Sequence, residues 1–103
     1  MGNLPVEPPD ELDGAMVICW AWSGEEPFGF ISVVDDGKEV DKIAIHGTAI
    51  CQYEGTDTVY YFICNKDWEV ENDTVHNSVE RAMNAKFTSE PYSFKPVSKW
   101  YMK

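Results

Sequence analysis

The residues best suited to covalent or metal chemistry in this chain are three cysteines and two histidines. Cys19, Cys51 and Cys64 each lie in an apolar, strand-like run, and no two of them form a C-x-x-C pair. His46 and His76 are 30 positions apart, which matches no zinc-ligand spacing. We therefore predict reduced, buried thiols, and no metal ion or cofactor. A disulfide, a reactive thiol and a Cys64–His76 nucleophilic pair remain as alternatives.

The acidic residues are numerous, but they form no recognised catalytic or metal-binding motif. The chain contains 18 Asp and Glu residues against 8 Lys and Arg, which gives a net charge of −10. The run Asp35-Asp36-Gly37 resembles the start of a calcium loop but lacks the ligand spacing of an EF-hand. Phosphate-binding and nucleophile-elbow motifs are also absent from the sequence. No catalytic residue is predicted.

Charge is unevenly distributed along the chain. Every acid except Glu90 precedes residue 81, whereas most of the bases follow, namely Arg81, Lys86, Lys95, Lys99 and Lys103. A strongly negative surface is repelled by nucleic acid and by anionic membranes. We therefore predict a basic protein as the partner, with no direct contact to nucleic acid or membrane. The oligomeric state stays open.

One set of acids is interleaved with aromatic residues, and we predict that it binds the partner. Trp and Tyr are frequent hot spots of protein interfaces, and acids around them suit Lys or Arg on the other side. The alternative is that Trp68 folds into the core while the acids decorate a loop. The set consists of Tyr53, Glu54, Asp57, Asp67, Trp68, Glu69, Glu71 and Asp73.

Short connections between apolar runs predict an antiparallel sheet. Residues 15–22 and 58–64 are apolar on both alternating sets of positions, which is typical of central strands. Asp35 to Lys38 forms a hairpin turn after a strand over 28–34, because Asp-Gly readily adopts positive φ angles. The next strand is predicted near Lys42 to His46, and the alternative is a strand that continues through Gly47 as far as Gln52, with Gly47 as a bulge.

The second half of the chain predicts one short helix. Trp68 to Glu71 forms either an edge strand or a loop over the core. Asn77 and Glu80 have the spacing of a capping box, and the helix ends before Pro91. Residues 92–101 form a last, irregular strand. The predicted fold class is α+β, with a meander-like antiparallel sheet of four to six strands and one short helix on one face.

Two regions are predicted along the chain. Residues 1–13 are acidic and rich in proline, which indicates a flexible tail. Residues 14–103 form a single α+β domain. The first residues contain neither a basic region nor an apolar run, and no stretch of about 18 apolar residues is present. The expected location is therefore the cytoplasm.

The segments CNKDWEV at 64–70 and NDTVHNSVERA at 72–82 resemble a run found in short bacterial proteins of about this length. In those proteins a strand ends in a polar turn with Trp, and a helix follows a D-T-x-H-x-S stretch. The chain is similar in size, acidity and α+β make-up to small bacterial immunity proteins, which neutralise a toxin by binding it. The resemblance covers about a fifth of the chain and assigns no site residues.

Three functions follow as hypotheses. The first is a non-enzymatic protein-binding module, such as an inhibitor or immunity protein, that engages a basic partner through acids and aromatics. The second is an acidic mimic of nucleic acid that occupies a basic groove, as phage-type inhibitors do. The third is a small enzyme or ligand carrier that uses Cys or His in a pocket between sheet and helix.

Overall fold

A computed structural model describes residues 5–87 and 91–103. Most of the chain forms antiparallel strands, with one short helix. The elements are β1 (Glu11–Leu12), β2 (Ala15–Trp22), β3 (Gly29–Asp35), β4 (Lys38–Ile45), β5 (Gly47–Gln52), β6 (Val59–Cys64), β7 (Val70–His76), α1 (Val79–Met83), β8 (Tyr92–Phe94) and β9 (Tyr101–Met102). The predicted combination of an antiparallel sheet with one helix is confirmed.

The larger of two sheets has the strand order β1-β2-β5-β6-β7, and β9 also pairs with β2. It curls into a half-barrel. The two strands that the sequence marked as central, β2 and β6, each have neighbours on both sides. Their side chains alternate between two apolar environments, which explains why neither strand has a polar face.

The smaller sheet has the order β4-β3-β8. The predicted hairpin joins β3 to β4, and Asp36 and Gly37 adopt φ angles of 51° and 75° at its turn. The strand predicted to end at His46 is the one that forms, and the alternative of one continuous strand through Gly47 is not. The chain leaves the small sheet at Ile45 and enters the large sheet at Gly47, so His46 lies at the change of sheet.

Each face of the large sheet is covered by a separate hydrophobic cluster. Cluster 1 contains Leu12, Ala15, Val17, Trp20, Ala49, Cys51, Phe62, Cys64 and Trp68. Cluster 2 lies between the large sheet, the small sheet and α1, and contains Cys19, Ile31, Ile45, Ile50, Val59, Tyr61, Ile63, Ala82 and Phe87. The N-terminal segment and the β6–β7 turn supply the cover of cluster 1.

Residues 5–13 do not form the flexible tail that the sequence predicted. Leu12 is buried in cluster 1, and the backbone carbonyl of Asp10 accepts a hydrogen bond from Val17 N–H at 2.9 Å. The Lys103 ammonium donates to the carbonyl oxygen of Pro8 at 3.1 Å and forms an ion pair with Asp10 at 3.0 Å. These contacts hold the segment against the rest of the chain. The sequence did not indicate them, because Leu12 is surrounded by acidic residues. Residues 1–4 lie outside the described residues.

The helix is shorter than predicted and begins one residue later. Ser78 is the N-cap, and its Oγ accepts a hydrogen bond from Arg81 N–H at 3.1 Å, so Asn77 lies outside the helix. The helix ends at Met83, and Phe87 packs on cluster 2 from the segment beyond it. The predicted last strand is two short strands, β8 and β9, in different sheets. The part of the predicted helix at 88–90 lies outside the described residues.

Candidate partner-binding surface

The three cysteine side chains are fully buried, and each exposes 0% of its surface. Burial raises the pKa of Cys19 to about 11 and that of Cys51 to about 12, and it also raises the pKa of Cys64. All three are free thiols. A buried thiol with a raised pKa is a poor nucleophile and a poor metal ligand, because both roles need the thiolate.

The histidines do not activate these thiols. Cys64 pairs with Val70 and His76 pairs with Val59, so Cys64 and His76 lie at opposite ends of the β6–β7 pair. His76 Nε2 lies 2.7 Å from Thr74 Oγ1, and His46 Nδ1 lies 3.1 Å from Ser23 Oγ. The Cys64–His76 nucleophilic pair is therefore not formed. Among the residues that the structure describes, no group of three His, Cys, Asp or Glu side chains could hold a metal ion.

We expect the native protein to resist thiol labelling. At pH 8 a thiol of pKa about 11 is about one-thousandth thiolate, whereas an ordinary Cys is about one-tenth thiolate. Labelling with an aromatic disulfide reagent should run at least about a hundredfold slower than in the guanidinium-unfolded chain, and it should speed up as pH rises. Any thiol that reacts in the folded protein at the unfolded rate would contradict the assigned burial.

Trp68, predicted as a partner contact, lies in cluster 1 and exposes only 7% of its surface. Its ring packs edge-on against Trp20, with 6.2 Å between ring centroids, and its Nε1–H donates to the carbonyl oxygen of Val6 at 3.0 Å. The alternative that Trp68 folds into the core is therefore the one the structure supports. Its ring is enclosed and offers little surface to a partner.

The acids around Trp68 are held by a turn that Asn65 organises. Asn65 Oδ1 accepts hydrogen bonds from the backbone N–H groups of Asp67 and Glu69, at 2.9 and 3.0 Å. Its Nδ2 donates to both Glu69 Oε1 and Glu71 Oε2, each at 2.9 Å. Two of these three exposed carboxylates are thus engaged by their own turn, which lowers their availability to a partner.

The other predicted residues lie at the far end of β6. Tyr53, Glu54 and Asp57 belong to the β5–β6 connection, while Asp67 belongs to the β6–β7 turn. Because β6 has six residues at about 3.4 Å each, roughly 17 Å separates these two groups. The predicted set is therefore divided between the two ends of the strand, and Asp73 lies between them on β7.

The structure brings part of this set together with residues that the sequence did not single out. Tyr53 and Tyr60 meet edge-on with ring centroids 5.3 Å apart, and the Tyr53 hydroxyl donates to the Asp13 carbonyl oxygen at 2.9 Å. Tyr60 pairs with Val75, and Phe62 pairs with Asp73, so Val75 and Asp73 share the face of cluster 1. We call Asp13, Tyr53, Tyr60, Asp73 and Val75 the acidic face.

The carboxylates of the acidic face affect the ionisation of Tyr53. Desolvation of the Tyr53 hydroxyl, followed by the Asp13 carboxylate, raises the pKa of Tyr53 above its ordinary value, and Asp73 contributes in the same direction. Both rings are half-buried, both carboxylates are exposed, and Val75 exposes 58% of its surface. The arrangement can offer aromatic and aliphatic contact area with negative charge at its rim.

Sequence patterns account for only some of the acidic face. Tyr60 falls on the same alternation as Phe62, so its face follows from the strand period. Asp13 was placed in the tail, and its position beside Tyr53 depends on a long-range contact. The segment predicted as an edge strand or loop ended at Glu71 and so did not include Val75, which lies in β7.

Other depressions of the described surface are shallow or small. The most enclosed has a volume of about 230 Å³ and is lined by Tyr61, Ala85, Lys86, Phe87, Phe94, Lys95, Pro96 and Val97. Ligand pockets are commonly about 300–1,000 Å³. The described residues around it include no Cys or His. This pocket therefore does not support the hypothesis of a small enzyme or ligand carrier that uses Cys or His.

Comparison with known proteins supplies no further guide. No protein family, no curated protein and no solved structure matches the chain. Within the described ranges, no helix has the length and apolar character needed to cross a membrane. The functional argument therefore depends on the acidic face itself.

Proposed function

We propose that the chain is a non-enzymatic protein-binding module that engages a basic protein through the acidic face, in the manner of an inhibitor or immunity protein. The observation that carries the proposal is the pairing of two half-exposed tyrosines with two free carboxylates on one face of a rigid sheet. Tyrosine supplies contact area at low entropic cost, and carboxylates select Lys and Arg.

The charge state of the surface supports the same proposal. All acids in the described ranges are exposed. Ion pairs among the described residues use only the carboxylates of Glu7, Asp10 and Glu39. The remaining negative charge is uncompensated, so it accelerates encounter with a basic partner and makes association sensitive to salt.

The test is to neutralise the acidic face without altering the backbone. Asp13→Asn with Asp73→Asn should weaken binding about tenfold to a partner captured from host lysate at low salt and then purified, as measured by calorimetry. Each exposed charge pair is worth about 0.2–1 kcal/mol, and pairs with well-packed neighbours lie at the upper end. Binding that is unchanged, or lost to the same degree in the control variant, would contradict the proposal.

A matched control exists in the β3–β4 turn. Asp36 has a φ of 51° and Asp13 a φ of 50°, so Asn, which tolerates this conformation, is equally suitable at both. Asp35→Asn with Asp36→Asn removes the same two charges far from the tyrosines. This variant should bind within about twofold of the parent, because it changes net charge but leaves the acidic face intact.

The distribution of acids does not favour the alternative of a nucleic-acid mimic. Such a mimic needs a row of carboxylates at phosphate spacing. Described acids are spread over the N-terminal segment, the β2–β3 connection, the β3–β4 hairpin, the connections at both ends of β6, strand β7 and α1.

A further inference from the structure

The outer edge of β7 is an open strand edge beside the acidic face. β7 has seven residues and lies at the end of the large sheet, where its one strand partner among the described residues is β6. An edge of this length presents unpaired backbone donors and acceptors that another strand can use.

Backbone hydrogen bonding shows which residues of β7 turn outward. Asp73 N–H donates to Asn72 Oδ1 at 2.8 Å instead of extending the ladder toward β6. The other outer strand, β4, does the same, because Lys42 N–H donates to Asp41 Oδ1 at 2.8 Å. Since outward groups recur every second residue along a regular strand, Val75 also directs its backbone groups to the open edge. The register shift between Ile63 and Cys64 interrupts this alternation at Glu71.

The side chains at these outward positions define what a pairing strand must carry. Glu71 and Asp73 are exposed, and Val75 exposes 58% of its surface. Side chains directly opposite one another on paired strands have Cβ atoms about 4.5–5.5 Å apart, so opposite charges attract and like charges repel. The complement is a strand with a basic and an aliphatic residue at alternate positions, opposite Asp73 and Val75.

A second copy of this chain is a poor occupant of the edge. An antiparallel pair of β7 strands centred on Asp73 would place the two Asp73 carboxylates opposite each other, with the two Glu71 residues flanking them. Like charges directly opposite destabilise a strand pair. The acids therefore discourage self-association while leaving the edge open to a basic segment.

We infer that the edge of β7 accepts an extended, basic segment of the partner as an added strand. This inference rests on the proposed function, since it names how the same partner engages the acidic face. The added strand would lay a basic side chain beside Asp73 and its aliphatic side chain beside Val75, while the rest of the partner covers Tyr53 and Tyr60.

The test uses a synthetic probe in place of the partner. The peptide acetyl-TVTKTKT-amide places its Val opposite Val75 and its central Lys opposite Asp73 in an antiparallel register. A second peptide with the same sequence carries N-methyl groups on the backbone nitrogens that would pair with β7. We expect the first peptide to bind at least fivefold more tightly in NMR titrations and to slow exchange of the Asp73 amide proton.

Two variants separate strand addition from simple charge attraction. Val75→Pro removes an outward N–H without breaking the β6–β7 ladder, so it should reduce the affinity of the first peptide to that of the methylated one. Val40→Pro, on the exposed outer strand β4, should leave the fivefold difference unchanged. If Val75→Pro does not fold, hydrogen exchange in the parent chain replaces it: the first peptide should slow exchange of the Val75 amide proton, whereas the methylated peptide should not.

Equal affinity for the two peptides, or no binding by either, would overturn strand addition. The proposed function would survive both results if the Asp13 and Asp73 neutralisation still weakened binding of the purified partner. It would fail if that neutralisation had no effect. The two proposals therefore fail in different experiments.

Discussion

Truncation of Trp68 to alanine is expected to lower the free energy of unfolding by about 3–5 kcal/mol. The side chain is buried, and its ring packs on Trp20 and Trp22 with ring centroids 6.2 and 5.6 Å away. It also donates a hydrogen bond to Val6, so its loss both opens a cavity and removes one of the contacts that hold the N-terminal segment. Denaturant unfolding followed by circular dichroism measures the effect.

The substitution Gly47→Ala tests whether the Trp68 ring packs directly against Gly47. A Cβ on Gly47 would lie 2.7 Å from the Trp68 ring, so Gly47→Ala alone should cost about 1–3 kcal/mol through overpacking. In the Trp68→Ala background the same change meets no ring and should cost much less. Additive costs in the double variant would show that the two residues do not share the contact.

The behaviour of Trp68 shows why the sequence could not place it. Its φ of 61° is rare for a bulky residue, and it depends on the turn that Asn65 organises with its side chain. Periodicity carries no information about such a conformation. Periodicity therefore left open whether the Trp68 ring joins the core or faces solvent. Its position depends on contacts with residues that are distant in the sequence.

Strand identity was easier to predict than strand partnership. β2 and β6 could be recognised because both alternating sets of their residues are apolar, and that pattern is typical of strands covered on both faces. The sequence did not decide whether the strand ends at His46 or continues, because the residues on both sides of His46 have a similar strand-like pattern. Which sheet the chain joins after His46 depends on tertiary contacts. The burial of Leu12 could not be predicted either, because its neighbours are acidic and the surface that buries it is formed by strands distant in the sequence.

The acidic face could also be predicted only in part from the sequence. Tyr53 and Asp73 were predicted because acids and aromatics are interleaved in the sequence around them. Asp13 and Tyr60 join them through a hydrogen bond and a ring contact that cross the sheet. Composition therefore indicated the chemistry of the surface, while the register of β6 and β7 determined which residues share it.

The second large effect is expected at Gly29, where β3 and β8 approach most closely. A Cβ there would overlap the Ser93 carbonyl oxygen and lie 2.6 Å from Phe94 Cα. Both are backbone atoms that no rotamer change can move, so Gly29→Ala should cost about 3 kcal/mol or more. Thermal unfolding measures the cost. Ser32→Ala, on the same strand, should cost less than about 1 kcal/mol, and equal losses would contradict the contact.

The consequence of Gly29→Ala should be confined to one side of the molecule. β8 carries Tyr92 and Phe94, whose rings each lie 5.1 Å from Phe87 in cluster 2. The acidic face lies on the other side of the large sheet, against cluster 1. Below its unfolding transition, the Gly29→Ala variant should therefore keep its affinity for a basic partner, because loosening the small sheet leaves Tyr53, Tyr60 and Asp73 in place.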